Sequence, residues 1–250
     1  MKKILTSNRL KIIALITMII DHIGYYLYPI LNKETYYLFR NIGRIAMPLF
    51  AYLIVQGFFH TKNIKKYIIR IFSLAIVTQI LLGILGYINN KYYTNYVIGI
   101  NNYLNILFSY GLSLILLFII DKTVQLKNSN NIQNIVINYS VFVFILMLFF
   151  IIPIDYGIRI PFIMLCLYFI EKLCKKNKTV YLFLILFVFL ISLIGITNSN
   201  INSYCMLISV LFIALYNGEK GKNSKFIQYL FYILFPIHHV ILYTLALLLK

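Results

Sequence analysis

Long apolar runs, separated by short basic clusters, make up most of this chain. A helix needs about 20 mostly apolar residues to cross a bilayer. Runs of that order fall at 10–30, 41–60, 69–88, 103–120, 135–154, 157–174, 179–197, 201–216 and 228–249. The expected fold is therefore all-α, a polytopic transmembrane helix bundle of about nine spans. Eight or ten spans also fit, because 201–216 is short and the turn at 154–157 is tight. The connecting loops are short, with no internal repeat, low-complexity tract or linker. Residues 1–250 read as a single integral membrane domain.

The basic positions alternate from loop to loop. Lys2, Lys3, Arg9 and Lys11 open the chain, and alternate loops carry Lys62, Lys65, Lys66 and Arg70, then Lys122 and Lys127, then Lys172, Lys175, Lys176 and Lys178, then Lys220, Lys222 and Lys225. The intervening loops hold only Lys33, Arg40, Arg44, Lys91, Arg159 and Lys250. Cytoplasmic loops collect Lys and Arg, so the N-terminus is expected in the cytoplasm and, with nine spans, the C-terminus outside. The first run begins like a secretory signal, but Asp21-His22 interrupts it and no A-x-A site follows, so it is expected to be a retained helix.

Composition narrows the class further. Apolar residues are 62% and charged residues 12% of the chain, whereas soluble domains carry about 25% charged residues. The net charge of +17 would suggest nucleic-acid binding, but clustering between apolar runs is the pattern of topology signals facing anionic headgroups. The expected partner is the lipid bilayer, with no nucleic acid, and the expected location is the cell membrane, multi-pass. Cys166, Cys174 and Cys205 sit in apolar stretches without C-x-x-C spacing, which argues against a zinc or disulfide framework. Trp is absent, leaving 22 Tyr and 20 Phe for the interfacial belts.

Ionisable groups inside apolar runs are costly and point to function. Asp21 and His22 sit mid-span, but adjacent helical positions diverge by about 100°. His22 is expected on the face of Met18, Tyr25 and Tyr26, and Asp21 against a neighbouring helix. Asp21 reads either as a structural partner of an arginine or as part of a site. His22 reads as a hydrogen-bonded core residue or as a proton carrier, since neutral imidazole accepts and donates near neutral pH. Arg40 and Arg44 lie one turn apart and repel each other, so an anion is expected between them: Asp21, Asp155, or a substrate carboxylate or phosphate. For Arg40, snorkelling to the interface is the plainer alternative. His238-His239 follow Pro236, which is expected to kink or open the last helix, and lie at about the depth of His22 by helical count. Three histidines at one depth suggest a metal site, but 238 and 239 are adjacent and lack a carboxylate at ligand spacing, so no metal is expected. Asp155-Tyr156-Gly157 with Arg159 reads as a tight extracytoplasmic turn.

The runs LKIIALITMIIDHIGYYLYP and LFRNIGRIAMPLFAYLIVQGFFHTKNIKKYIIR, followed by IDYG (154–157), LYNGEKG (215–221) and FYILFPIHH (231–239), resemble the TraX family of membrane proteins over essentially the whole chain. In the closing motif Phe235 and His239 stand where the family has Tyr and Leu, a departure that bears on His239 and leaves His238 intact. A looser resemblance, over about the first 60 residues, is to the acyltransferase 3 family, through the spacing of Lys11, Ala14 and His22 and the run PLFAYLIVQGF (48–58). The TraX resemblance implies action in conjugation, by acetylating the N-terminal amine of a pilin subunit. Together the two imply acetyl transfer from cytoplasmic acetyl-CoA, as co-substrate, to an amine or hydroxyl on the far side, on a pilin-like peptide or a cell-surface glycan.

On that reading His22 is the expected general base and Arg44 its electrostatic partner, with Arg40 behind it. His238 relays the proton or orients the acceptor, and Asp21 holds the group together. Arg40, Asp155, Tyr156, Arg159 and His239 are expected to face the acceptor. Lys62, Lys65, Lys66 and Arg70 are expected to dock the CoA phosphates, or to act only as an orientation signal. Two other classes stay open: a proton-coupled transporter or channel, and a non-catalytic scaffold for a secreted partner. No inverted repeat speaks for the transporter.

Overall fold

A computed structural model describes residues 4–93, 97, 100, 103–126, 132–194, 203–221 and 225–249, with side chains of 225–228 excepted. Lys2, Lys3, Lys127, Lys222 and Lys250 of the orientation pattern lie outside the described residues, as does the side chain of Lys225.

The described residues form an all-helical bundle: α1 (Ser7–Tyr26), α2 (Lys33–Gly43), α3 (Ala46–His60), α4 (Ile64–Tyr92), α5 (Ile106–Leu126), α6 (Ile132–Ile151), α7 (Arg159–Cys174), α8 (Lys178–Ser192), α9 (Ile208–Ala214, preceded by a 3-10 turn, Ser203–Leu207) and α10 (Lys225–Leu248). Asparagine sets several starts: the side chains of Asn32, Asn63 and Asn177 accept from the backbone N–H of Thr35, Lys66 and Val180, meeting donors that a helix leaves unpaired.

Five helical segments are long and apolar enough to cross a membrane: Lys33–His60, Ile64–Tyr92, Ile106–Leu126, Ile132–Ile151 and Tyr229–Leu248. The chain is a membrane protein by this measure, and the expected spans correspond to helices. Three details differ. The expected span at 41–60 breaks at Arg44–Ile45 into α2 and α3, and the first part extends outward to Lys33. α1 reaches 20 residues but carries Arg9, Lys11 and Asp21, so it is less apolar than those five. The expected spans at 179–197 and 201–216 yield only Lys178–Ser192 and Ser203–Ala214, too short for about 20 residues of span.

Burial divides the helices by role. α3 is apolar all round, is buried along most of its length and packs against α1, α5 and α7. α4 and α6 turn Ile76, Ile80, Ile84, Phe144, Met147 and Phe150 outward. In water such a belt would aggregate; in lipid it is the expected solvent-facing surface. Polar groups gather inside.

Two short backbone ties fix the ends. At the N-terminus, Ile4 and Leu5 donate to Leu215 O, while Ser7 and Asn8 donate to Glu219 O and Lys220 O at 2.8 and 3.2 Å. The LYNGEKG segment thus supplies acceptors to the orphan donors of α1, and Gly218 (φ 85°) and Gly221 (φ 83°) permit the bend. At the other end of the bundle, Leu104 donates to Pro153 O and Asp155 donates to Leu104 O, both at 2.9 Å. Ser109 Oγ adds a 2.8 Å bond to Asp155 O.

Candidate functional site

A cavity of about 500 Å³ opens between α1, α2, the start of α3, the loop before α5, the IDYG turn and α10. Its walls include Asp21, His22, Tyr25, Arg40, Arg44, Asp155, Tyr156, Arg159 and His239. Two polar clusters meet there.

The first centres on Asp21. Arg40 Nη1 donates to Asp21 Oδ2 at 2.6 Å, and Arg44 Nη2 to Asp21 Oδ1 at 3.3 Å. Asp21 is thus the anion that the two arginines require, and Arg40 pairs inside the protein rather than snorkelling. The approach is close because position 43 is glycine: a Cβ there would collide with the Asp21 side chain. Arg44 is fully engaged, its Nε donating to Arg40 O at 3.2 Å and its Nη1 to the Tyr156 hydroxyl at 3.1 Å. Tyr156 reaches it from a left-handed turn conformation (φ 61°) that a non-glycine residue rarely adopts. Arg40 differs: its buried Nε has no hydrogen-bond partner among the described residues. The sequence reading placed Arg44 in front and Arg40 behind; the structure leaves the spare donor on Arg40. Arg40 also lies over the Tyr25 ring at 5.7 Å.

The second cluster joins α1 to α10. His238 Nε2 lies 2.7 Å from His22 Nδ1, and His238 Nδ1 lies 2.9 Å from Leu234 O. A carbonyl only accepts, so His238 carries its proton on Nδ1 and its Nε2 accepts from His22 Nδ1–H. His22 Nε2 is then left with a free lone pair. His239 Nδ1 meets the Tyr26 hydroxyl at 2.9 Å. His238 and His239, although adjacent in sequence, both bring their ring centroids to 4.7 Å from that of His22. Pro236 sits within a continuous helical segment, so the histidines are presented by helix rather than by a break. Nor do Asp21 and His22 face separate spaces: both line the same cavity.

Asp155 lines the cavity and is exposed there. The protein packed around it displaces part of its water and pushes its carboxyl up to about 6, against the pull of the Arg44 guanidinium. Arg159, the first residue of α7, also lines the wall. Lys62, Lys65, Lys66 and Arg70 do not join the site. They are exposed at the far end of α3 and the start of α4, and α3, at 15 residues, is about 22 Å long.

The sequence reading did not single out Tyr26, Gly43 or Ser109 as site residues. Tyr26 had a signal, standing one helical turn after His22; Gly43 and Ser109 had none, because their roles depend on packing partners. A further buried group, also missed, lies toward the other end of the bundle: Tyr181 donates to Glu171 Oε2 at 2.7 Å and accepts from the Tyr52 hydroxyl at 3.1 Å, and Lys175 pairs with Glu171.

Comparison with known proteins places the chain. The TraX family model, described as TraX protein, matches residues 6–246. The chain belongs to the TraX family. A protein of Dichelobacter nodosus described as "Probable fimbrial assembly protein FimC, serogroup H1" is 34% identical over 74 residues, 30% of this chain and 30% of that protein. An uncharacterized protein of Rickettsia prowazekii (strain Madrid E) is 44% identical over 75 residues, 30% of this chain and 28% of that protein. The matched part thus spans less than a third of either relative. No solved structure matches. The similarity to the acyltransferase 3 family is not shown by these comparisons.

Proposed function

We propose that this TraX-family chain is a multi-pass membrane acetyltransferase, moving an acetyl group from cytoplasmic acetyl-CoA to an amine or hydroxyl on the extracytoplasmic side. The observation that carries this reading is the free Nε2 of His22 at the wall of a cavity large enough for a small acyl acceptor. A protonated amine cannot attack a thioester, so a base must take its proton or it must arrive neutral. His22 Nε2 takes the proton as nitrogen or oxygen attacks the acetyl carbonyl, general-base chemistry worth about 100- to 10,000-fold. The C–S bond then breaks and the CoA sulfur leaves as thiolate, to be protonated. His238 fixes His22 in the required tautomer. The Arg40 guanidinium, at the cavity wall, stabilises the developing oxyanion or an anionic group of the acceptor, while Asp21, Arg44 and Tyr156 hold Arg40 in place. Asp155, Arg159 and His239 contact the acceptor. Lys62, Lys65, Lys66 and Arg70, exposed beyond the end of α3 remote from the cavity, bind the CoA phosphates as point charges. The fimbrial assembly protein among the relatives makes a pilus-subunit peptide the first acceptor to try, and a surface glycan the second.

The test is to supply radioactive acetyl-CoA to membranes containing the wild-type chain or His22→Ala. Label should appear in a cell-surface fraction with the wild type and fall at least about 100-fold with His22→Ala. No label with the wild type would remove the acetyltransferase reading, whereas near-normal label with His22→Ala would remove only the base assignment.

A further inference from the structure

We propose that His22, His238 and His239 together bind one divalent transition-metal ion of the zinc class. Each of the three offers a ring nitrogen, and those atoms all lie within 4.8 Å of one another. In a tetrahedral zinc site with Zn–N near 2.0–2.1 Å, nitrogens stand about 3.3 Å apart, so small side-chain rotations convert the cluster into a ligand set. His238 and His239 are buried, at 3% and 8% exposure, and neutral imidazole is the form that coordinates.

The outer ring nitrogens supply the second argument. Metal-bound histidines nearly always donate their other N–H to a carbonyl, carboxylate or other fixed acceptor, which orients the ring. His238 Nδ1 already donates to Leu234 O at 2.9 Å, and His239 Nδ1 meets the Tyr26 hydroxyl at 2.9 Å. Both Nε2 atoms are therefore turned toward the shared space. The 2.7 Å bond between His238 Nε2 and His22 Nδ1 is the contact the ion would replace. His22 keeps its single proton, on whichever nitrogen is not coordinated, so binding neither gains nor loses a proton overall. With only three protein ligands, the fourth position lies toward the cavity that His22 and His239 line. Three imidazoles with neither carboxylate nor thiolate favour Zn²⁺, Co²⁺, Ni²⁺ or Cu²⁺ over Mg²⁺ or Ca²⁺.

The site stands independently of acetyl transfer but shares His22 with it, so an ion in place occupies the base and suppresses turnover. The experiment uses the full chain in detergent, stripped with chelator and equilibrated with Zn²⁺ or Co²⁺. One ion should bind per chain, with the Co²⁺ visible bands of a nitrogen-rich four- or five-coordinate site, and Zn²⁺ should raise the melting temperature. His238→Gln and His239→Gln should each abolish binding and the thermal shift. Tyr26→Phe should weaken binding about 10- to 100-fold. His60→Ala should bind normally, since His60 lies outside the cluster with its Nδ1 on Gln56 O. Absent binding, binding unaffected by both glutamine variants, or binding lost with His60→Ala would overturn the site. Zn²⁺ binding without acetyl transfer leaves the site standing. Acetyl transfer without Zn²⁺ binding overturns the site alone.

Discussion

At the scale of single residues, Asp21 is the strongest determinant of the site. One carboxylate answers two guanidinium groups, and the side chains of all three are largely shielded, at 15% exposure for Asp21 and 17% for each arginine. Removing one partner of such a buried pair leaves an uncompensated charge and costs about 3–5 kcal/mol. Asp21→Asn is therefore expected to lower the yield of folded protein and its melting temperature in detergent. Tyr156→Phe removes one hydrogen bond to a charged group, worth about 1.5–3 kcal/mol, and should be the milder change. Equal melting temperatures for wild type and Asp21→Asn would show that the arginines do not depend on it.

At the scale of elements, the N-terminal clasp decides how α1 enters the bundle. Thr6 caps α1, and the 215–221 segment carries the acceptors for its first donors. Gly218 and Gly221 both have positive φ, yet their surroundings differ. A Cβ at Gly218 meets nothing, whereas one at Gly221 would fall 2.6 Å from Thr6 Oγ1. Gly218→Ala should cost only backbone strain, about 1–3 kcal/mol. Gly221→Ala adds displacement of the cap and should lower the melting temperature further. The reverse order would mean that the clasp does not bear on α1.

At the scale of the whole molecule, α4 is the measuring rod. Its 29 residues extend about 43 Å, beyond a hydrocarbon core of about 30 Å, with Lys65 in its first turn and Lys91 in its last. With the N-terminus inside, as the charge asymmetry implies, Lys65→Cys should label from the cytoplasm and Lys91→Cys from outside. The background for this experiment replaces Cys166, Cys174 and Cys205, the free cysteines of the chain. Labelling of both from one face would remove this topology, and with it the separate faces for donor and acceptor.

What the chain determines by itself is whatever depends on local composition and period. A run such as 69–88 has no option in lipid but a helix, because every backbone polar group must be satisfied within the segment. An aspartate and histidines within apolar runs announce themselves by their cost, so the main candidate residues were visible from the residues alone. Packing decided the rest. Whether Arg40 and Arg44 would meet Asp21, Asp155 or a ligand depended on a glycine at 43 that lets α1 and α2 close together. Whether His238 and His239 could both reach His22 depended on where α10 crosses α1. The break at Arg44–Ile45 follows Asn41, Gly43 and Arg44, and only from Ala46 onward does the helix become continuously apolar and buried. The separation of the basic loop from the cavity followed from α3 standing between them as a buried helix. These are relations between residues far apart in sequence, and periodicity records only which face of an element is apolar, not which neighbour it meets.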